Sequence, residues 1–416
     1  MGGAASRAGG GRDDAKGRKE TRARLVTLKM VRAALPFAFV DAYEVVEVDA
    51  YEDRECQFSA RCRGSGSLRT VRCMSVSKKG SETTIPMALY NLEQYVLDTL
   101  NHPNVVRLHE TFYEARRKPA LGVLVMDHAA GPRLSEELRS RKDCRMSEND
   151  AREVMVQLAD VLKACAESGI VCGSLDLDSV MLREKDSERL DVVLTTMRYA
   201  CMIGQPLAYD MELVEYEIED EMQETVTRTY VQCAGRSMHF MAPELLTPSL
   251  RPGLEPTVDV WSFGVIMYTL LAGYQPFDGE DEISLAEKIR SGNFVAFTYD
   301  SETWDSVSHG AKDLIAGCLR VRTSRRYTID RILRHPWIRK YTDPDATFNA
   351  LDSDSGLLTP PRSVSHDEGS SGAREWRPRG HPAPSEMRPL HAQQLLVPLL
   401  LLLHGVLFQG RGDRRT

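Results

Sequence analysis

Residues 259–273 read DVWSFGVIMYTLLAG, and the run continues YQPF through residue 277. Apolar side chains fall nearly all round a 3.6-residue period. That predicts a helix buried on every face, at the centre of a helical layer. About 15 residues are too few to span a membrane, which takes roughly 20, and the run opens on an acid. A helix buried all round needs others packed about it. Further helices are readable at 148–168, 283–291, 309–319 and 328–340, so the chain from about Gly131 to 340 reads as a large helical layer.

Toward the N-terminus the period changes. YEVVEV (43–48), CQFSARCR (56–63), RTVRCMSV (69–76), VVRLHETFYE (105–114) and LGVLVMD (121–127) read as strands. Among them, Leu89, Leu92, Val96 and Leu100 recur at helical spacing, and Asn101-His102-Pro103-Asn104 stops that helix. A short helical pattern lies near Thr21–Ala34.

The composition is that of a soluble globular chain: 416 residues, 42% apolar, 27% charged and a net charge of −7. That balance argues against a general nucleic-acid binder. Nine cysteines at scattered spacings give no CxxC pair and no disulfide framework, which predicts a reducing interior compartment. The charge is uneven. Residues 1–32 carry nine Lys/Arg against three acids, leaving an acidic body behind a basic arm. Residues 343–394 are rich in Pro, Ser, Gly and Arg and read as structureless, and LLVPLLLLLHGVLF follows at 395–408.

A small β-rich lobe, a short hinge and a large α lobe, together with LNHPNVVRL (100–108), MAPELL (241–246), DVWSFGVIMYTLLAGYQPF (259–277), SRRYTI (324–329) and RHPWI (334–338), make the chain similar to the eukaryotic protein kinases. It most resembles their calcium/calmodulin-dependent group, over about residues 43–340. The resemblance implies structural roles for four residues. Glu244 should form a buried ion pair with Arg326, Asp259 should cap the catalytic-loop backbone, and Glu93 takes the place of the glutamate on the helix of the small lobe. No basic amphipathic helix readable as a calmodulin site follows Lys340.

The same resemblance locates the parts that phosphoryl transfer needs: a phosphate cradle, a lysine, metal ligands and a base. The cradle should be a glycine-rich hairpin. Here it reads DAYEDRE (49–55), with four acids and no glycine. Counted back from Lys78-Lys79, the lysine position falls on Met74, which brings no charge and leaves Glu93 without its partner. The family pattern H-R-D-L-K-P-E-N meets CGSLDLDS over 172–179, so the base position is Ser174 and the metal-binding amide is Ser179. The metal aspartate of D-F-G meets Thr196, in Thr196-Met197-Arg198. A hydroxyl neither takes a proton at neutral pH nor offers magnesium an anionic oxygen. Losing one such part costs about 3–5 kcal/mol of barrier, though not additively. Asp176, two residues past Ser174, is the best substitute base. The hinge Met126, Asp127, His128 and Ala129 offers backbone groups to an adenine.

The expectation is therefore an α+β, two-lobed protein kinase-like fold with disordered tails. It comprises a basic, mostly disordered arm (1–40), a small lobe (41–130), a helical lobe (131–340) holding an acidic activation-segment insertion (about 205–226), a linker (341–394) and an apolar segment (395–408). The expected function is that of a catalytically inactive kinase-like scaffold in signalling, and the alternative is a low-activity serine/threonine kinase. No cofactor is required. Any ATP binding should be weak and without magnesium, and no metal site is expected. Protein partners would meet the helical lobe and the acidic segment, whose residues 210–224 carry eight acids. Nucleic acid is not among them. Met1-Gly2-Gly3-Ala4-Ala5-Ser6 fits the N-myristoylation pattern, making Gly2 a candidate lipid site. With the basic arm and the segment 395–408, it points to a cytoplasmic protein able to meet a membrane surface.

Overall fold

A computed structural model describes residues 31–341, apart from 52–54, 77, 80–81, 84, 116–119, 174, 186, 206–210, 220–224, 234–236, 248–252 and 299. The expectations for Gly2, the linker and the apolar segment 395–408 lie outside the described residues.

The small lobe is an antiparallel sheet of five strands: β1 (Tyr43–Tyr51), β2 (Glu55–Cys62), β3 (Leu68–Val76), β4 (Leu108–Glu114) and β5 (Ala120–Asp127). Their order is β1–β2–β3–β5–β4. Side chains alternate across a strand, and here both faces are buried. Val71, Cys73, Val123 and Val125 face one apolar cluster with Phe39, Tyr43 and Phe58. Met74, Leu124 and Met126 face the other, which runs on into the helical lobe. A sheet covered on both sides explains why ALGVLVMD is nearly continuously apolar. The helix Ile85–Thr99 lies on the inner face, where Gly122 admits the ring of Tyr90. A Cβ at Gly122 would stand 2.7 Å from that ring.

The helical pattern expected near Thr21–Ala34 is met over its described end, 31–34, inside the arm expected to be mostly disordered. Residues 31–34 and Phe37–Ala42 are helical, and Val31, Leu35 and Phe39 are buried against the outer face of the sheet. The helix breaks at Leu35 and Pro36, so two short helical pieces bring these three side chains to the sheet.

In the helical lobe, Thr257–Ala272 is buried along almost its whole length and packs against Glu148–Glu167 and His309–Cys318. Ser147, Ser308 and Thr328 cap the helices they precede by accepting from backbone N–H groups. The stretch expected as one helix over 328–340 is two, Ile329–Arg334 and Pro336–Arg339. Pro336 denies helical backbone to His335, which sits at φ −63° and ψ 133°. Met211–Glu219, within the segment expected as an acidic insertion, pairs with Thr225–Cys233, most of which lies beyond it, as an antiparallel ladder. No helix among the described residues is long and apolar enough to cross a membrane.

Candidate functional site

The cleft between the lobes is built from β2, β3, the helix Ile85–Thr99 and the loops that follow Ile170–Val171 and Val192–Leu194. The structure corrects the reading of its charged centre. The side chain opposite Glu93 is Arg72, not Met74. Arg72 Nη1 donates to Glu93 Oε1, in an ion pair whose side chains are 6% and 0% exposed. Glu93 therefore has its partner. Met74 lies two residues on along the same face of β3, but it is buried in the apolar cluster. It is a packing residue, which its thioether suits.

Arg72 ties this pair to the loop below. Its Nη1 also donates to Thr196 Oγ1 (3.2 Å), and its Nη2 to the carbonyl of Thr195 (3.4 Å) and to Gln57 Oε1 (3.4 Å). Thr196 Oγ1 and the Met197 N–H both donate to Glu93 Oε1, at 3.3 and 3.2 Å. Met197 is fully buried, so the segment is pinned inward. Glu93 Oε2 has no hydrogen-bond partner among the described residues. A fork-shaped guanidinium can serve a carboxylate, a hydroxyl and a carbonyl at once; a point-like ammonium could not.

The loop over 172–179 is held from beneath. Asp259 Oδ2 accepts from the Cys172 N–H and Oδ1 from the Gly173 N–H, both at 2.8 Å. Gly173 stands at φ +66°, which a side chain there would resist. Ser174 lies outside the described residues. One oxygen of Asp176 is committed to its own turn: Oδ1 accepts from the backbone N–H groups of Asp178 (2.9 Å) and Ser179 (2.7 Å). Burial pushes the Asp176 carboxyl up from its ordinary range, while the hydrogen bonds from Ser179 and Asp178 pull the other way. Ser179 Oγ is spent on the same turn, accepting from the Asp176 N–H and donating to the Asp176 carbonyl, both at 2.9 Å. Asp178 accepts from Ser135 Oγ.

A cavity of about 220 Å³ opens here, lined by Gln57, Arg72, Asp176, Ser179, Thr196 and Arg198 among others. The hinge residues Met126, Asp127, His128 and Ala129 stand at the end of β5 and do not line it. Met126 and Ala129 are buried. Asp127 Oδ1 lies 2.6 Å from His109 Nε2, and its backbone N–H donates to the Arg107 carbonyl (3.0 Å). His128 Nδ1 shares a 3.1 Å hydrogen bond with Thr70 Oγ1, and burial lowers the pKa of its ring.

The structure brings Glu244 and Arg326 together in a bidentate pair, Nη1–Oε1 at 2.6 Å and Nη2–Oε2 at 2.9 Å. The guanidinium lies 5.1 Å over the ring of Trp261, which stacks on Phe277. This fixes the segment Pro243–Leu246 to the helical lobe. The signal that could have found Arg72 is its setting. It is a charged residue at an inward position of a strand whose neighbours Val71 and Cys73 are apolar.

A family model for the protein kinase domain matches residues 57–338. Among curated proteins, the chain is 27% identical over 275 residues to a probable serine/threonine-protein kinase fhkC of Dictyostelium discoideum, covering 66% of this chain and 40% of that protein. It is 26% identical over 317 residues to calcium-dependent protein kinase 5 of Plasmodium falciparum, covering 74% and 47%. The chain thus spans less than half the length of these relatives. Among solved structures, the autoinhibited serine kinase domain of the giant muscle protein titin superposes with a TM-score of 0.55 at 16% identity, over 77% of this chain and 85% of that one. At that identity the likeness concerns the fold alone.

Proposed function

The chain belongs to the protein kinase family, and we propose that it uses the fold as a binding or scaffolding module in signalling, without transferring phosphate. The observation that carries this reading is at Thr196. Where a relative with the full motif set would present a carboxylate to magnesium, this chain presents a hydroxyl 3.2 Å from the Arg72 guanidinium. A second cation brought there would meet a resident one, and Glu93, the carboxylate within reach of that hydroxyl, is already paired with Arg72. Ser179, the other position a metal would use, has its hydroxyl committed to the backbone of Asp176. These residues do not fit magnesium, so ATP would bind weakly and without it.

Protein partners would meet the helical lobe and the acidic segment 205–226. A membrane surface would meet the basic arm and the apolar segment 395–408. The alternative is a serine/threonine kinase of low activity, favoured by the names of the relatives and by Asp176, a carboxylate two residues past the place of the base. Against it stands the engagement of Asp176 Oδ1 by two backbone N–H groups. The test is mass-spectrometric detection of phosphate on the chain itself and on generic protein substrates, with ATP and magnesium. The proposal expects none. Phosphate that appears, and that disappears in Asp176→Ala, would establish the alternative.

A further inference from the structure

Two thiols that the cleft does not use face each other across the small lobe. Cys56 of β2 and Cys73 of β3 are direct partners in the antiparallel ladder. Both are buried, at 8% and 5% exposure, and both belong to the apolar cluster on the outer face of the sheet, so their side chains lie on one side of it. We propose that Cys56 and Cys73 form a reversible cross-strand disulfide when the protein meets a hydroperoxide.

Opposed residues in an antiparallel pair have Cα atoms about 4.5–5.5 Å apart. A disulfide spans about 4.4–6.8 Å. The bond therefore needs no rearrangement of the sheet. Access follows from position. The β2–β3 ladder ends at Glu55 and Met74, one pair beyond the two thiols. Fraying at a strand end is the lowest-energy opening a sheet undergoes. Cys56 lies one residue from the start of β2, so fraying there, away from Tyr51 of β1, bares its sulfur to a small neutral oxidant. Cys73 meanwhile keeps its pairing with Val123 of β5 and stays opposite it.

In the first step the thiolate of one cysteine attacks a peroxide oxygen. The O–O bond breaks, the cysteine becomes a sulfenic acid and the other oxygen leaves as water when hydrogen peroxide is the oxidant. In the second step the facing thiol attacks that sulfur and a second water leaves. Two thiols lose two hydrogens, and one hydrogen peroxide is reduced to two waters. Thiols restore the pair by exchange, which suits a compartment without structural disulfides. The clamp sits beside the pair Gln57–Arg72 in the same ladder, so oxidation would fix the two strands that bring those side chains to the cleft.

The full chain is treated with hydrogen peroxide, digested without reduction and mapped by mass spectrometry. The expected result is one cross-linked peptide pair joining Cys56 to Cys73, lighter by two hydrogens than its parts and lost after dithiothreitol. A 17-residue separation should also raise the melting temperature by roughly 5 °C. Cys73→Ala should remove both the cross-link and the rise. Recovery of both cysteines as thiols, their overoxidation without a cross-link, or pairing of either with Cys62 would overturn the proposal. The wild-type map decides alone should the variant fail to fold.

Discussion

The anchor at Glu244 and Arg326 and the centre at Glu93 and Arg72 are both arginine–carboxylate pairs with a buried arginine, yet they are wired differently. Arg326 gives Glu244 two hydrogen bonds, one to each oxygen, and spends its remaining donors on the carbonyls of Thr257, Arg320 and Val321. Arg72 reaches only one oxygen of Glu93 and spreads its other donors over Thr196, Thr195 and Gln57. The anchor is saturated and keeps the form the kinase resemblance implies. The cleft centre turns its cation onto the loop at Thr195 and Thr196, the place that the proposed reading gives to the lost metal ligand. On the proposed reading, the fold is preserved at its supports while its charged centre becomes one more support.

The comparison can be broken by removing one cation at a time. Arg326→Ala strands Glu244 beneath the helical lobe and should cost about 4 kcal/mol, read as a fall in the denaturation midpoint. Arg72→Ala should cost about 3 kcal/mol, because Glu93 is left wholly buried without a counter-charge. The double variant Arg72→Met, Glu93→Leu sharpens the point. Replacing both partners with apolar side chains should recover most of that loss, as expected of a support. A cleft that needed the pair for function would instead lose ligand binding while regaining stability. Asp259→Ala leaves two backbone N–H groups in the loop without their acceptor and should cost about 2 kcal/mol.

The smallest effect is one of pH. Burial works against the charge of Asp313, but hydrogen bonds from His335 and Tyr327 outweigh it and hold the carboxyl below its ordinary range. A lowered carboxyl contributes stability that is fully present above its unfolded pKa of about 3.9 and lost as pH falls through the folded value. Wild type should therefore lose stability below about pH 4. Asp313→Asn should flatten that slope, as acid unfolding curves would show.

The helices and strands were legible because both periods are strong where they occur. The run 259–273 is apolar all round because it is buried all round, and β5 is apolar throughout because the sheet is covered on both faces. Arg72 was not legible in the same way. Thr70, Arg72 and Met74 alternate onto one face of β3, and spacing alone cannot choose among three inward positions. The choice is made in three dimensions, by where Glu93 stands along the helix Ile85–Thr99. The turn that occupies Asp176 and Ser179 was equally hidden. Its hydrogen bonds run to the backbone, and a sequence does not display where its backbone N–H groups point. Val31, Leu35 and Phe39 share no single helical period, because Pro36 breaks the helix between them, so no spacing in the sequence announces their common burial.

The central claim is that the cleft has no use for magnesium. The direct test is the melting temperature of the full chain with ATP, measured with and without magnesium. A ligand that binds only the folded state adds about 2.7 kcal/mol of stability at a hundredfold over its dissociation constant. The account predicts a small shift or none with ATP, and no further shift on adding magnesium. A shift that appears only when magnesium is present would contradict it, and would mean that the residues around Thr196 and Ser179 hold the metal after all.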